Sequence, residues 1–188
     1  MKTWSTVLFS LGLLAACVTH QPDHFYILSP QPPAPGEARA TSLSQATLRV
    51  TLPSLVDRPE MIVNLSVDGV MVLEHERWAA PLPDLVTQTL AQDIERRRRD
   101  VLFIGQSVSH SGAAAVKVSV DVTQIIVRKG ERASVDAHWR ILDVRTGKDV
   151  VGGEVFSQPL GAEGYTAVAQ ALSGCLGLLA DRLAAQMP

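Results

Sequence analysis

At 188 residues, with 17 Lys and Arg against 19 Asp and Glu and a net charge of −2, the chain lacks the basic excess that a nucleic-acid face requires. Its two cysteines and five histidines are too few and too scattered for a disulfide framework or a metal cluster, so no cofactor or metal is expected. Aromatic residues make up only 5% of the chain, which argues against a sugar-stacking platform.

The chain opens MKTWSTVLFSLGLLAAC. Lys2, a short apolar run and then small residues reproduce the layout of a secretory signal. The apolar core is about ten residues, whereas crossing a ~30 Å bilayer takes about 20. A cleaved signal over residues 1–16 is therefore expected rather than a spanning anchor. Leu14-Ala15-Ala16-Cys17 also fits the bacterial lipobox, in which the cysteine thiol is diacylated after cleavage. The alternative is an ordinary signal with an incidental cysteine. Each buried CH₂ of an acyl chain contributes ~0.8 kcal/mol, and two or more chains give a firm hold. Val18 follows, not the aspartate that retains enteric lipoproteins at the inner membrane, so outer-membrane sorting is the expectation. With Cys17 acylated, Cys175 has no partner for a disulfide. Without residues 1–16 about 170 residues remain, one ordinary domain. Losing Lys2 leaves sixteen basic against nineteen acidic groups, a net −3.

Residues 17–23 then read as a tether and 24–188 as the folded domain. FYILSP (25–30) is a first strand; at ~3.3–3.6 Å per residue the tether holds it within about 20 Å of Cys17. The Pro-rich stretch 29–42 reads as an extended surface loop. Thr47 to Leu52 alternates and forms a half-buried strand. Residues 61–78 form a hairpin, with Asp68-Gly69 expected to supply a positive-φ turn. Leu82, Val86, Leu90 and Ile94 place one apolar stripe on a helix from about Leu82 to Arg97. Val116, Val118, Val120 and Val122 alternate, as do Ala133, Val135, Ala137 and Trp139. These make two strands around a Lys129-Gly130-Glu131 turn, and a further hairpin turns at Thr146-Gly147. A last helix, about Gly164 to Gln186, carries Val168, Leu172, Cys175, Leu179 and Leu183 on one side. The fold class expected is α+β: one antiparallel or mixed sheet with an open face and two helices packed on the other, in a single domain.

Catalytic patterns are missing: the sequence has no G-x-S-x-G elbow, H-E-x-x-H pair or Walker loop. His75 and Glu76 are strand neighbours and point to opposite faces; His110 lies in a loop-like stretch without an obvious partner. Arg96 to Arg99 cannot share one helix face, since successive positions are ~100° apart. They read as a solvated helix end that complements the dipole, or else as contacts to anionic headgroups or an acidic partner. Cys175 and Trp139 read as core. LPSLVDRPEM (52–61) sets an Asp-Arg pair between two prolines, and ERWAAPLPD (76–84) opens the first helix with Trp and Pro-Leu-Pro. The two segments form either a packed corner or a rigid binding edge.

At these segments the sequence resembles the PqiC-like auxiliary lipoproteins of ABC-type transport systems associated with mammalian-cell-entry-type proteins. The resemblance runs through FYILSP, LRVTLPSLVDRPEMIV, HERWAAPLPDLVTQTLAQDI, RASVDAHWRILDVRTGK and the helix starting GYTAVAQALS, nearly the whole mature chain. It implies a non-enzymatic, lipid-anchored periplasmic subunit, with a permease, an ATPase and a mammalian-cell-entry-type protein as partners and phospholipids or other hydrophobic molecules as cargo. It marks Arg58, Pro59, Trp78, Pro81 and Leu82 as pattern positions, here assigned to partner binding, and makes a homo-oligomer plausible. An envelope tether or pilotin-like assembly factor is the alternative role. An unrecognised hydrolase is a more distant one.

Overall fold

The computed structural model describes residues 21–32, 43–105 and 114–188; Cys17, the stretch 1–16 expected to be a signal, most of the Pro-rich stretch and His110 lie outside the described residues. Ten elements follow one another: β1 (His24–Tyr26), β2 (Ser44–Thr51), β3 (Glu60–Asn64), β4 (Val70–Trp78), α1 (Leu82–Arg97), β5 (Val101–Phe103), β6 (Val116–Arg128), β7 (Arg132–Asp143), β8 (Asp149–Pro159) and α2 (Tyr165–Gln186). The eight strands join one mixed sheet, and two helices complete the α+β domain.

β6 organises the sheet. One of its edges pairs with β7 along nearly its full length, and β7 in turn pairs with β8. Its other edge is divided. Val116 to Asp121 pair in parallel with β2, which carries β5 beyond it, while Arg128 meets Asn64 of β3, followed by β4 and β1. The register of β6 against β7 shifts between Val122 and Gln124, between the two pairing zones. A bulge there bends the strand and increases its twist, which lets one strand serve two groups of neighbours.

The alternation expected for β6 and β7 holds: Val116, Val118, Val120 and Val122 are buried, as are Ala133, Val135, Ala137 and Trp139. Ser119, Asp121, His138 and Arg140 occupy the open face with Arg49 and Thr51. Both predicted turns form where expected. Gly130 and Gly147 adopt φ of 75° and 73°, and the Asp143 carboxylate accepts the Arg145 and Thr146 amides at 2.8 and 3.2 Å. The hairpin of β3 and β4 differs from expectation. Gly69 is not among the positive-φ glycines. Its carbonyl accepts the amides of Leu65 and Ser66 at 2.9 and 3.3 Å, closing a five-residue connection over 65–69 instead of a tight two-residue turn.

Both helices cover the same face. The predicted stripe of α1 is buried together with Leu85, Thr89 and Asp93. Helix α2 buries its predicted stripe and also Ala167, Ala169, Ala171, Ser173, Leu176, Gly177 and Ala180. Long and apolar enough by length and composition to cross a bilayer, it is 72% buried inside the fold over its apolar window. What encloses it, besides the sheet and α1, is the chain after β1. This first strand is shorter than the predicted 25–30, because Leu28 turns into the core. The amide of Ser29 then donates to Ser173 Oγ at 3.0 Å, and that of Gln31 to Asp93 Oδ1 at 2.7 Å. Residues 27–32 thus strap both helices to β1, where an extended surface loop had been expected from residue 29. A Cβ at Gly177 would sit 2.8 Å from Gln31 Cγ, so the strap lies this close only over a glycine.

Candidate functional site

The five pattern positions converge on one corner, where β4 hands over to α1. The backbone amide of Trp78 donates to the Pro59 carbonyl at 2.7 Å, and Ala79 donates to the Tyr26 carbonyl at 2.8 Å. This ties the loop before β3, the end of β4 and the end of β1 together. Pro81 is the N-cap residue of α1 and Pro83 occupies its first turn. Proline is compatible there because those N–H groups have no intrahelical acceptor. Asp84 in the same turn complements the dipole.

The corner has an inner and an outer layer. Trp78 and Leu82 are 6% and 3% exposed and belong to the core; they back the site and do not reach its surface. Pro59 and Pro81 are exposed and Arg58 is half-buried. Behind Trp78 and Leu82, in the core, lies a gap of about 20 Å³ touching Val56, Met61 and Leu172, and a neighbouring gap by Leu28, Val86 and Leu176 measures about 10 Å³. On this scale ~10–15 Å³ is room for about one water molecule, so neither gap accommodates an acyl chain. The corner supplies a stiff edge rather than a cavity.

Charges extend this edge along β4. Arg58 Nε donates to Glu60 Oε2 at 3.0 Å, Glu60 Oε1 stands 3.4 Å from Arg77, and Asp23 bridges Arg77 at 4.0 Å and His75 at 3.0 Å. The Arg58 hydrogen bond, with a backbone bond and the charge of Arg77 behind it, holds the Glu60 carboxyl below the usual carboxylate range. On the other face of β4, Glu76 accepts from Tyr26 at 2.5 Å and meets His24 at 3.1 Å. Burial, then the bond to Glu76, pushes the Tyr26 hydroxyl up to about 12. His75 and Glu76 therefore take different partners on opposite faces, as their adjacent strand positions require. Among the described residues no group of three His, Cys, Asp or Glu side chains is placed to hold a metal ion. Sequence reasoning missed Asp23, Glu60 and Arg77 as members of the edge. Strict alternation of Glu74, His75, Glu76 and Arg77 was the available signal, since it puts His75 and Arg77 on one side.

Cys175 is buried, and desolvation raises its thiol to about 12, which suits a packing role and not a nucleophile. Arg97 and Arg98 are not the solvated helix end expected of them. The Arg97 side chain is 10% exposed and pairs with Asp93 and Asp181. Arg98 donates to Asp100, to the carbonyls of Ala184 and Met187 at 3.2 and 3.0 Å, and to that of Pro188 at 2.6 Å. Within the run 96–99, Arg96 and Arg99 are the exposed members.

The fold is a helix-backed mixed sheet, and comparison with known proteins gives its class. The chain belongs to the family of ABC-type transport auxiliary lipoprotein components, whose sequence model matches residues 26–184. A crystal structure of an uncharacterized protein is similar in fold, with a TM-score of 0.74 at 14% identity over 88% of this chain and 99% of that one. A protein from Xanthomonas campestris aligns with a TM-score of 0.67 at 14% identity, covering 85% of this chain and 92% of its own. No curated protein gives a significant match.

Proposed function

We propose that this protein is a lipid-anchored periplasmic accessory subunit of an ABC-type transporter of the mammalian-cell-entry kind, attached through Cys17 and sorted to the outer membrane. It acts by protein contact and not by catalysis, and the cargo of the assembly is phospholipid or another hydrophobic molecule. The observation that carries the reading is the family match across residues 26–184, on a chain whose first residues contain Leu14-Ala15-Ala16-Cys17. ATP hydrolysis and membrane passage belong to the partner ATPase and permease. Arg58, Pro59 and Pro81 form the contacting edge, while Trp78 and Leu82 hold that edge rigid from behind.

Affinity purification under mild detergent tests the reading. Recovery of a mammalian-cell-entry-type protein is the expected result, and its consistent loss overturns the assignment. Arg58→Glu combined with Pro81→Ala should lower that recovery at unchanged melting temperature. Cys17→Ser should move the protein from the membrane to the soluble fraction; retention on the membrane would refute the anchor.

A further inference from the structure

The connection between β3 and β4 is conspicuously apolar for a loop. Leu65 and Val67 in it are 68% and 88% exposed, and Val70 and Met71, which open β4, are 41% and 36% exposed, in a stretch reading LSVDGVM. A solvated hairpin tip would carry polar residues at those places, and exposed apolar side chains that cluster mark an interaction surface.

Two further observations say what covers it. First, Asn64 pairs with Arg128, and its Oδ1 accepts the Val127 amide at 3.0 Å, so the 65–69 connection and the β6–β7 turn lie at the same end of the sheet. That turn carries Arg128, Lys129 and Arg132, all exposed, against the acidic Asp68 and Glu131. Lys129 sits over the Tyr165 ring, 5.4 Å from its centroid, and no carboxylate pairs with Arg128 or Arg132 among the described residues. Apolar side chains bordered by cations match the interfacial layer of an anionic bilayer.

Second, β1 runs parallel to β4, with His24 opposite Glu76 and Tyr26 opposite Trp78. The chain therefore enters β1 from the end at which β4 begins, which is the end carrying the apolar connection. Seven steps separate Cys17 from His24, a reach of up to about 25 Å. The six steps of β4 from Glu76 back to Val70 cover ~20 Å. The chain before β1 is thus long enough to run from the body back to the plane of the tip.

We infer that the β3–β4 connection, flanked by the basic β6–β7 turn, docks into the surface of the same bilayer leaflet that holds Cys17. The inference rests on the proposed anchor at Cys17. Three points, the acyl chains, the apolar tip and the basic turn, then fix the orientation of the domain. The opposite end, with the β7–β8 turn, is directed away from that membrane.

The test uses the acylated full-length protein carrying Val67→Cys or Lys148→Cys, labelled with an environment-sensitive fluorophore; the buried Cys175 thiol does not compete. The protein is reconstituted into vesicles of phosphatidylethanolamine and phosphatidylglycerol containing a doxyl-labelled phospholipid, and acylation of Cys17 is verified by mass spectrometry. Emission from position 67 should shift to shorter wavelength and lose intensity to the doxyl lipid, while position 148 stays aqueous. Leu65→Asp with Val67→Asp should withdraw the tip, read from a probe at Met71→Cys, with unchanged melting temperature and retained vesicle binding. An acylated, vesicle-bound protein whose position 67 reads as aqueous overturns the inference and leaves the anchor standing. A blue shift at position 67 in the unacylated Cys17→Ser protein, free of vesicles and detergent, overturns it in favour of a second copy. An unmodified Cys17 removes the anchor and the inference together.

Discussion

The chain has two concentrations of arginine, and they are put to opposite uses. Around the end of α1, Arg97 and Arg98 turn inward. They neutralise Asp93, reach Asp181 and Asp100, and donate to carbonyls at the end of α2. Carbonyls in the last turn of a helix have no intrahelical donor, so these guanidinium groups lock the two helix ends to each other. At the β6–β7 turn, Arg128 and Arg132 remain at the surface. Local charge density in a sequence therefore says little about charge on the molecule. What decides is whether the fold brings acceptors: it does for Arg97 and Arg98, and among the described residues no carboxylate pairs with Arg128 or Arg132.

Substitutions should separate the two regions, and the widest gap is expected at Arg97. Arg97→Ala strands Asp93, which is fully buried and, among the described residues, has no hydrogen-bond partner at Oδ2 and keeps only the Gln31 amide as a donor to its carboxylate. A loss of about 3 kcal/mol in denaturant unfolding is expected, the scale for a buried charge deprived of its partner. A loss below about 1 kcal/mol would mean that the contrast is drawn too sharply. Arg98→Ala removes charge-assisted bonds to a half-exposed site and should cost about 1.5–3 kcal/mol, accompanied by faster amide exchange in the last turn of α2.

Acid titration sharpens the same contrast within the inward cluster. The Arg98 hydrogen bond holds Asp100 below the usual carboxylate range, so its contribution is present at neutral pH and fades as pH falls through the lowered value. Asp100→Asn should thus be less stable than the parent at pH 7, with the gap closing below about pH 4. Burial raises Asp93, against the Gln31 amide and Arg97; the folded state prefers its protonated form. Asp93→Asn should gain on the parent as pH climbs above about 4, then level off. Parallel curves for the two variants would remove the distinction. The smallest effect belongs to the outer cluster: Arg128→Ala with Arg132→Ala should change stability by no more than about 0.5 kcal/mol, measured by the same unfolding curves.

The arginines also show what a linear reading reaches. The period-2 runs of β6 and β7 and the four-residue stripe of α1 were legible because each reports a burial pattern that one element makes by itself. β5 was not. Three residues, Val101 to Phe103, give no period, and the strand exists because Ser44 to Ala46 offer it a parallel partner. Gly69 was misread since Asp-Gly marks a tight turn only when the strands close directly upon it, whereas here β3 stops at Asn64. The corner was legible as a place, through its prolines and Trp78. Its division into a buried backing and an exposed rim was not, because adjacent pattern positions differ in depth only once α1 packs against the sheet. The salt bridges of Asp23, Glu60 and Arg77 depend on β1 lying beside β4, a pairing between segments some 50 residues apart in sequence.

That pairing has a mechanical consequence. β1 joins the sheet through a three-residue parallel ladder, and tension arriving through the residues before Asp23 runs along its axis. The rungs are then loaded together in shear, not peeled one after another. His24, Tyr26 and Asp23 add side-chain ties to β4, and the segment behind them is pinned to both helices. A pull on the leading end is shared by the whole body before its weakest strand can detach.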